Sequence, residues 1–118
     1  RQHAEADALL RRAIAARNRI ITGNLVLAEA HRFLLDRVGI AAARSLLARA
    51  EVGPSLEILR ATADHHAAAL KWLDRYPDQA FTYADAVSFA IMESCGCRRA
   101  IAFDHRFELA GFELARDP

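Results

Sequence analysis

Apolar residues along the chain recur at helical spacing in five stretches, with charged residues at many of the positions between them. A period of three to four residues is typical of a helix with one buried face. The pattern predicts five helices, over residues 2–18, 24–39, 40–50, 61–76 and 82–95. A sixth and shorter helix is predicted after Asp104.

Four shorter stretches have the composition of strands. They are residues 19–22, which are β-branched after the first, the alternating apolar and polar residues 56–59, residues 99–103, which are apolar after Arg99, and residues 112–114. Strands that alternate with helices predict an α/β fold with a mostly parallel central sheet and helices on both of its faces. The 118 residues are expected to form one domain, because this length suffices for one hydrophobic core and not for two.

A carboxylate lies in the first turn of the largely apolar helix over residues 82–95. Asp85 precedes Phe89 and Met92 by four and seven residues, which places it where the buried face of the helix begins. Thr82 precedes Asp85 by three residues, and this spacing also matches a capping box. For Asp85 taken alone, satisfaction of the helix start is the better interpretation.

Two further acids occupy comparable positions. Glu29 lies four residues after Leu25 and four before Phe33, within an apolar stripe, although a side chain at the stripe's edge would reach water. Asp104 follows the apolar run 99–103, where open α/β sheets bind ligands, although it could instead cap the next helix. A shared cation would account for all three acids, because clustered carboxylates repel one another and Mg²⁺ or Mn²⁺ prefers their oxygens.

Three segments around these acids resemble the PIN-domain ribonucleases, and most closely the VapC-like toxins of bacterial toxin-antitoxin modules. The segments are residues 22–29 (Thr-x-Asn-Leu-Val-Leu-Ala-Glu), residues 81–89 (Phe-Thr-Tyr-Ala-Asp-Ala-Val-Ser-Phe), and residues 100–107 (Ala-Ile-Ala-Phe-Asp-x-x-Phe), followed by Ala110-Gly111-Phe112. Their order and spacing match the family from about His3 to Leu114. The resemblance implies a PIN-like three-layer fold.

The resemblance also implies roles for particular residues. Asp85 would be a primary ligand of Mg²⁺ or Mn²⁺, and Glu29 and Asp104 would be metal ligands or acids that support them. Thr82 would cap its helix and orient water or substrate. The metal would activate a water molecule that attacks an RNA phosphodiester, so that no covalent nucleophile is needed.

One part of the family pattern does not occur in the printed sequence. Members begin with an apolar strand that ends in Asp, the first of the metal-site acids, and this strand is central in the family's order 3-2-1-4-5. The printed sequence begins at Arg1 in the segment that corresponds to the first helix, and its acids Glu5 and Asp7 lie in a helical pattern. We expect the native chain to carry the strand before Arg1; the alternative is a truncated domain without activity.

The charge of the chain limits how it can bind RNA. A net charge of +1 requires a local basic patch rather than a basic surface throughout. Every basic residue except Lys71 is an arginine, which suits phosphate contacts. Arg99 and Arg106 flank Asp104 and are the candidate RNA contacts, although solvated surface arginines are an equally good interpretation.

Partners and compartment follow from a few further features. Cys95 and Cys97 are too close together for a disulfide, and no apolar run approaches a membrane span, so a reducing cytoplasm is expected. Cys95 is predicted to be buried, and the adjacent His65 and His66 to be solvated. The resemblance further implies an antitoxin whose tail occupies the active-site groove, and a homodimer.

Two functions from different classes follow. The first is a metal-dependent endoribonuclease, the toxin of a toxin-antitoxin pair, which cleaves cellular RNA. The second is a non-catalytic PIN-like scaffold that binds RNA or a partner protein. The acid expected before Arg1 discriminates between them. A receiver-like signalling domain also clusters acids at strand ends, but it would need a lysine after its last strand, and Lys71 lies elsewhere.

Overall fold

The computed structural model describes residues 20–52, 56–100 and 106–114, and these ranges form an α/β arrangement of short strands and helices. Its elements in chain order are β1 (Ile20–Gly23), α1 (Asn24–Arg37), α2 (Ile40–Val52), β2 (Leu56–Leu59), α3 (Ala63–Arg75), α4 (Tyr83–Cys95), β3 (Arg99–Ala100), α5 (Arg106–Leu109) and β4 (Glu113–Leu114). The helix predicted over residues 2–18 and the acid Asp104 lie outside the described residues.

The described strands form two separate parallel ladders. β1 pairs with β2, with Ile20 opposite Leu56, and β3 pairs with β4, with Arg99 opposite Glu113. No hydrogen-bonded ladder joins these two sheets within the described ranges. The parallel pairing confirms the predicted α/β class.

The core lies between α3, α4 and the segment from α5 to β4. Phe89 is fully buried on α4, and its ring contacts the rings of Trp72, Phe81, Phe107 and Phe112. Small buried side chains such as Ala69 on α3 and Ala86 on α4 allow these two helices to pack closely. The buried face of α4 is therefore fixed, and with it the position of the helix start that carries Asp85.

Each of the helices α3 and α4 begins with a reciprocal cap. At α4, the Thr82 N–H donates to Asp85 Oδ2 at 2.9 Å and the Asp85 N–H donates to Thr82 Oγ1 at 3.0 Å, which confirms the predicted capping box. At α3, the Thr62 N–H donates to His65 Nδ1 at 3.1 Å. Because Nδ1 accepts this bond, the proton of a neutral His65 ring lies on Nε2, 3.2 Å from Ser94 Oγ. His65 is half-buried and bonded, so it is less solvated than predicted, whereas His66 is exposed as predicted.

The last turn of α4 is exposed. Residues 93–96 are all accessible to solvent, so the prediction that Cys95 is buried is wrong: its position lies beyond the part of α4 that packs into the core. Among the described residues, every helix is too short or too polar to cross a membrane.

Gly96 ends α4 in a left-handed conformation, with φ 70°. The Cys97 N–H donates to Met92 O at 2.8 Å and the Gly96 N–H to Glu93 O at 3.2 Å, as in a Schellman motif. No atom lies within 4 Å of a Cβ built at this position, so a side chain would meet backbone strain and not a steric clash. We expect Gly96→Ala to lower the free energy of unfolding by about 1 kcal/mol, measured by urea denaturation.

Gly96→Asn is the matched variant, because asparagine tolerates the left-handed region better than alanine. It should lose less stability than Gly96→Ala. Equal stability of Gly96→Ala and the unmodified chain would contradict the left-handed helix end.

Candidate active site

The carboxylate of Asp85 is held at the start of α4, with its side chain 15% exposed. Oδ2 accepts two hydrogen bonds, from the Thr82 N–H at 2.9 Å and from Arg106 Nη1 at 3.3 Å. Within the described residues Oδ1 accepts none. The cap therefore occupies only one oxygen of Asp85, so that capping and ligand binding are compatible at this residue.

Arg106 reaches Asp85 from the first position of α5, 21 residues further along the chain. Its side chain is 43% exposed, so the guanidinium lies at the edge of the site with part of its surface in solvent. The sequence indicated Arg106 only through its nearness to Asp104. An ion pair across this separation depends on tertiary packing, and no local pattern predicts it.

Glu29 is exposed in the second turn of α1. In the described part of the chain its carboxylate forms neither a hydrogen bond nor an ion pair. The interpretation in which Glu29 reaches water is therefore the one that the structure supports. Since α1 packs against α4, Glu29 and Asp85 lie on neighbouring helices, and both carboxylates have oxygens that no described residue contacts through a hydrogen bond.

The turn between β1 and α1 fixes the start of the helix that carries Glu29. Asn24, the first residue of α1, accepts a hydrogen bond on Oδ1 from the Ala61 N–H at 2.9 Å. A Cβ on Gly23 would come within 2.9 Å of Ile91 Cδ1, so β1 approaches α4 as closely as a glycine permits. Sequence reasoning missed both functions, although Gly23 and Asn24 lie inside the segment that carries the family resemblance.

The remaining predicted residues are placed as follows. Thr82 is exposed, and Arg99 is exposed on β3. Since Thr82 Oγ1 accepts the Asp85 N–H, its own hydroxyl proton is available to a water molecule or a phosphate oxygen. Asp104 lies outside the described residues, so its predicted proximity to Asp85 stays a prediction.

The described residues offer the type of donor atom that a hard cation prefers, but too few of these donors to hold the cation by themselves. No group of three or more His, Cys, Asp or Glu side chains in the described ranges could hold a metal ion. Asp85 and Glu29 nevertheless offer carboxylate oxygens, which Mg²⁺ and Mn²⁺ prefer. A third acid is expected from Asp104, and the grouping of all three around a cation stays a prediction.

A cavity of about 260 Å³ lies elsewhere, at the opposite end of α4. Its lining residues are Trp72, Glu93, Gly96, Cys97, Arg98, Ala110, Gly111 and Phe112. None of the predicted site residues is among them. The start of α4 is the better candidate site, because Asp85 and Thr82 lie there in a segment that carries the motifs, whereas the cavity contains none of the residues that the motifs indicate.

The chain is similar to known proteins over most of its length. The sequence profile of the PIN domain family matches residues 1–113. Two relatives, both named 23S rRNA-specific endonuclease VapC20, come from Mycobacterium tuberculosis strains CDC 1551 / Oshkosh and ATCC 25618 / H37Rv. Each is 36% identical over 97 residues, which cover 82% of this chain and 73% of the relative.

A solved structure is similar over most of the chain. The crystal structure of Mycobacterium tuberculosis VapC20, described as a Sarcin-Ricin loop cleaving toxin, superposes with a TM-score of 0.80 and 33% sequence identity. The superposition covers 91% of this chain and 82% of that one.

Proposed function

The chain belongs to the PIN domain family, and from this membership we propose that it is a metal-dependent endoribonuclease, the toxin of a toxin-antitoxin pair. One observation carries the proposal: Asp85 has one carboxylate oxygen fixed by the helix cap, and its other oxygen accepts no hydrogen bond from the described residues. A fixed carboxylate with a free oxygen is what a metal-dependent site requires of a ligand.

In this proposal three acids together would hold the cation. Asp85 would bind through Oδ1, and Glu29 and Asp104 would complete the site as direct ligands or as acids that orient metal-bound water. When bound, Mg²⁺ or Mn²⁺ would lower the pKa of a water molecule and stabilise the charge that develops on the phosphate. Thr82 would donate its free hydroxyl proton to that water or to a phosphate oxygen.

The substrate we propose is a structured loop of ribosomal RNA. The support is the 36% identity to relatives named as 23S rRNA-specific endonucleases, over 82% of this chain. Arg99 and Arg106 would contact the RNA phosphates; both have solvent-accessible side chains, and arginine forms bidentate bonds with phosphate. A net charge of +1 requires such contacts to be local.

The proposed partners follow from the toxin assignment. The cognate antitoxin would place a tail over the site, where an arginine of that tail could pair with the acids. We also propose a homodimer and a cytoplasmic location, where ribosomal RNA is accessible.

The proposal is tested by RNA cleavage with metal removal. The full native chain is incubated with 23S rRNA and with a synthetic sarcin-ricin hairpin labelled at its 5′ end. Cleavage at a single loop position is expected with Mg²⁺, and EDTA should abolish it because the acids alone cannot activate water. Added Mn²⁺ in excess over EDTA should restore it.

Each other result would overturn part of the proposal. Cleavage that persists in EDTA would contradict the metal dependence. Absence of cleavage of either RNA at stoichiometric protein would contradict the endonuclease assignment and favour the scaffold. Cleavage at many unrelated positions would contradict the choice of a ribosomal RNA loop as substrate.

A further inference from the structure

A cluster of carboxylates needs a positive charge whenever its cation is absent. Like charges that share a site repel one another, which destabilises the fold or raises the pKa of the acids. A site whose metal dissociates therefore has to compensate its charge in another way. Arg106 is placed to do so, because its Nη1 lies 3.3 Å from Asp85 Oδ2.

The two oxygens of Asp85 are used differently. Oδ2 receives both the Thr82 N–H and Arg106, whereas Oδ1 accepts no hydrogen bond from the described residues. Arg106 therefore neutralises the carboxylate without covering the oxygen that a cation would approach. A guanidinium bonded to Oδ1 would instead have to leave before a metal could bind.

We propose that Arg106 is the counter-charge of the metal-free site: it holds the Asp85 carboxylate through Oδ2 and keeps Oδ1 ready for the cation. This inference rests on the proposed function, in which Asp85 is a metal ligand. Arg106 acts through Asp85 and is a positioning residue. Its contact with RNA phosphate remains compatible, because 43% of the side chain is exposed.

The position of Arg106 also sets the affinity for the metal. Arg106 and a bound cation are both attracted to the Asp85 carboxylate, and the two positive charges repel each other. The interaction by which Arg106 stabilises the metal-free site therefore lowers the affinity for the metal. At a separation of one carboxylate, and with partial solvent screening, this repulsion corresponds to roughly a threefold to tenfold change in metal affinity.

The first experiment is a double-mutant cycle in EDTA, with Arg106→Gln, Asp85→Asn and the double variant compared by thermal unfolding. Arg106→Gln alone is expected to lower Tm by roughly 2 to 5 °C, because it leaves Asp85 uncompensated. In the Asp85→Asn background the same change should lower Tm by clearly less, so that the two substitutions are coupled. Arg106→Lys, which keeps the charge and loses the planar donor group, should fall between the two.

The second experiment titrates the same proteins with Mg²⁺ and with Mn²⁺ and follows Tm. Arg106→Gln should reach half-maximal stabilisation at a threefold to tenfold lower metal concentration than the unmodified chain. Arg32→Gln is the matched control: it removes an equal charge and breaks an ion pair with Asp36 at 2.9 Å on the exposed surface of α1. Its metal titration should coincide with that of the unmodified chain.

The outcomes separate this inference from the proposed function. If the metal stabilises the unmodified chain but Arg106→Gln shows neither coupling to Asp85 nor a tighter titration, the inference is wrong and the metal site stands. Weaker metal binding in Arg106→Gln would also overturn the inference. If no protein responds to either metal, the proposed function fails, and the counter-charge role fails with it.

Discussion

Asp85→Asn is expected to reduce Mg²⁺-dependent RNA cleavage by about a thousandfold or more while the fold is retained. An asparagine can still accept the Thr82 N–H through its amide oxygen, so the cap of α4 survives the change. The neutral amide has lost the charge that attracts the cation. Single-turnover cleavage of the labelled hairpin measures the loss, and circular dichroism with thermal unfolding checks the fold.

Asp64→Asn is the matched control for this experiment. Asp64 is an exposed acid in the first turn of α3, so its replacement changes the same charge at a comparable helix position. It should leave cleavage unchanged. Full activity of Asp85→Asn would show that Asp85 is not part of the active site. Unfolding of that variant would show that the main role of Asp85 is to cap α4.

Phe89→Ala is expected to lower the free energy of unfolding by about 3 to 5 kcal/mol, a large share of the stability of an ordinary domain. The Phe89 ring is 0% exposed. Four other aromatic rings lie around it at centroid distances of 5.1–5.7 Å, so its removal leaves a cavity whose walls cannot all move inward. Urea denaturation followed by circular dichroism measures the loss.

Phe33→Ala provides the comparison, because the same atoms are removed from a ring that is 54% exposed on α1. Phe33 also stacks with the Arg37 guanidinium at 5.1 Å from the ring centroid, so a loss of up to about 1 kcal/mol is expected. Equal losses in the two variants would contradict the assignment of Phe89 to the centre of the core.

The elements that depend on local pattern could be predicted from the sequence. β2 covers residues 56–59 as the alternation of apolar and polar residues indicated, and the cap of α4 follows from the three-residue spacing of Thr82 and Asp85. Both features arise from contacts between residues close in the chain. The periodicity of side chains and the geometry of a helix start therefore suffice to find them.

Features that depend on packing could not be predicted in this way. His65 replaces an acid in the cap of α3 and its Nε2 lies close to Ser94, 29 residues away. The same holds for the exposure of Cys95, which depends on where the core ends along α4. The ion pair of Arg106 with Asp85 likewise spans 21 residues. Such contacts become visible only when the helices are docked.

The candidate site was predictable in its chemistry more than in its geometry. The acids Glu29 and Asp85 were identified by charge within apolar segments, and their roles at a metal site stay a prediction. Which oxygen of Asp85 is free is a property of the folded chain, because it depends on Arg106 and on the backbone of Thr82.

The cap that holds Asp85 has a consequence for the entropy of binding. An aspartate on a flexible loop loses rotational freedom about two side-chain torsions when it binds a ligand, and this loss opposes binding. At Asp85 the Thr82 N–H binds Oδ2 when α4 forms, and Arg106 adds a second bond when α5 packs against it, so those torsions are fixed in the folded chain. The cost of ordering this carboxylate is therefore part of the free energy of folding, and a ligand of Asp85 would meet a preorganised side chain.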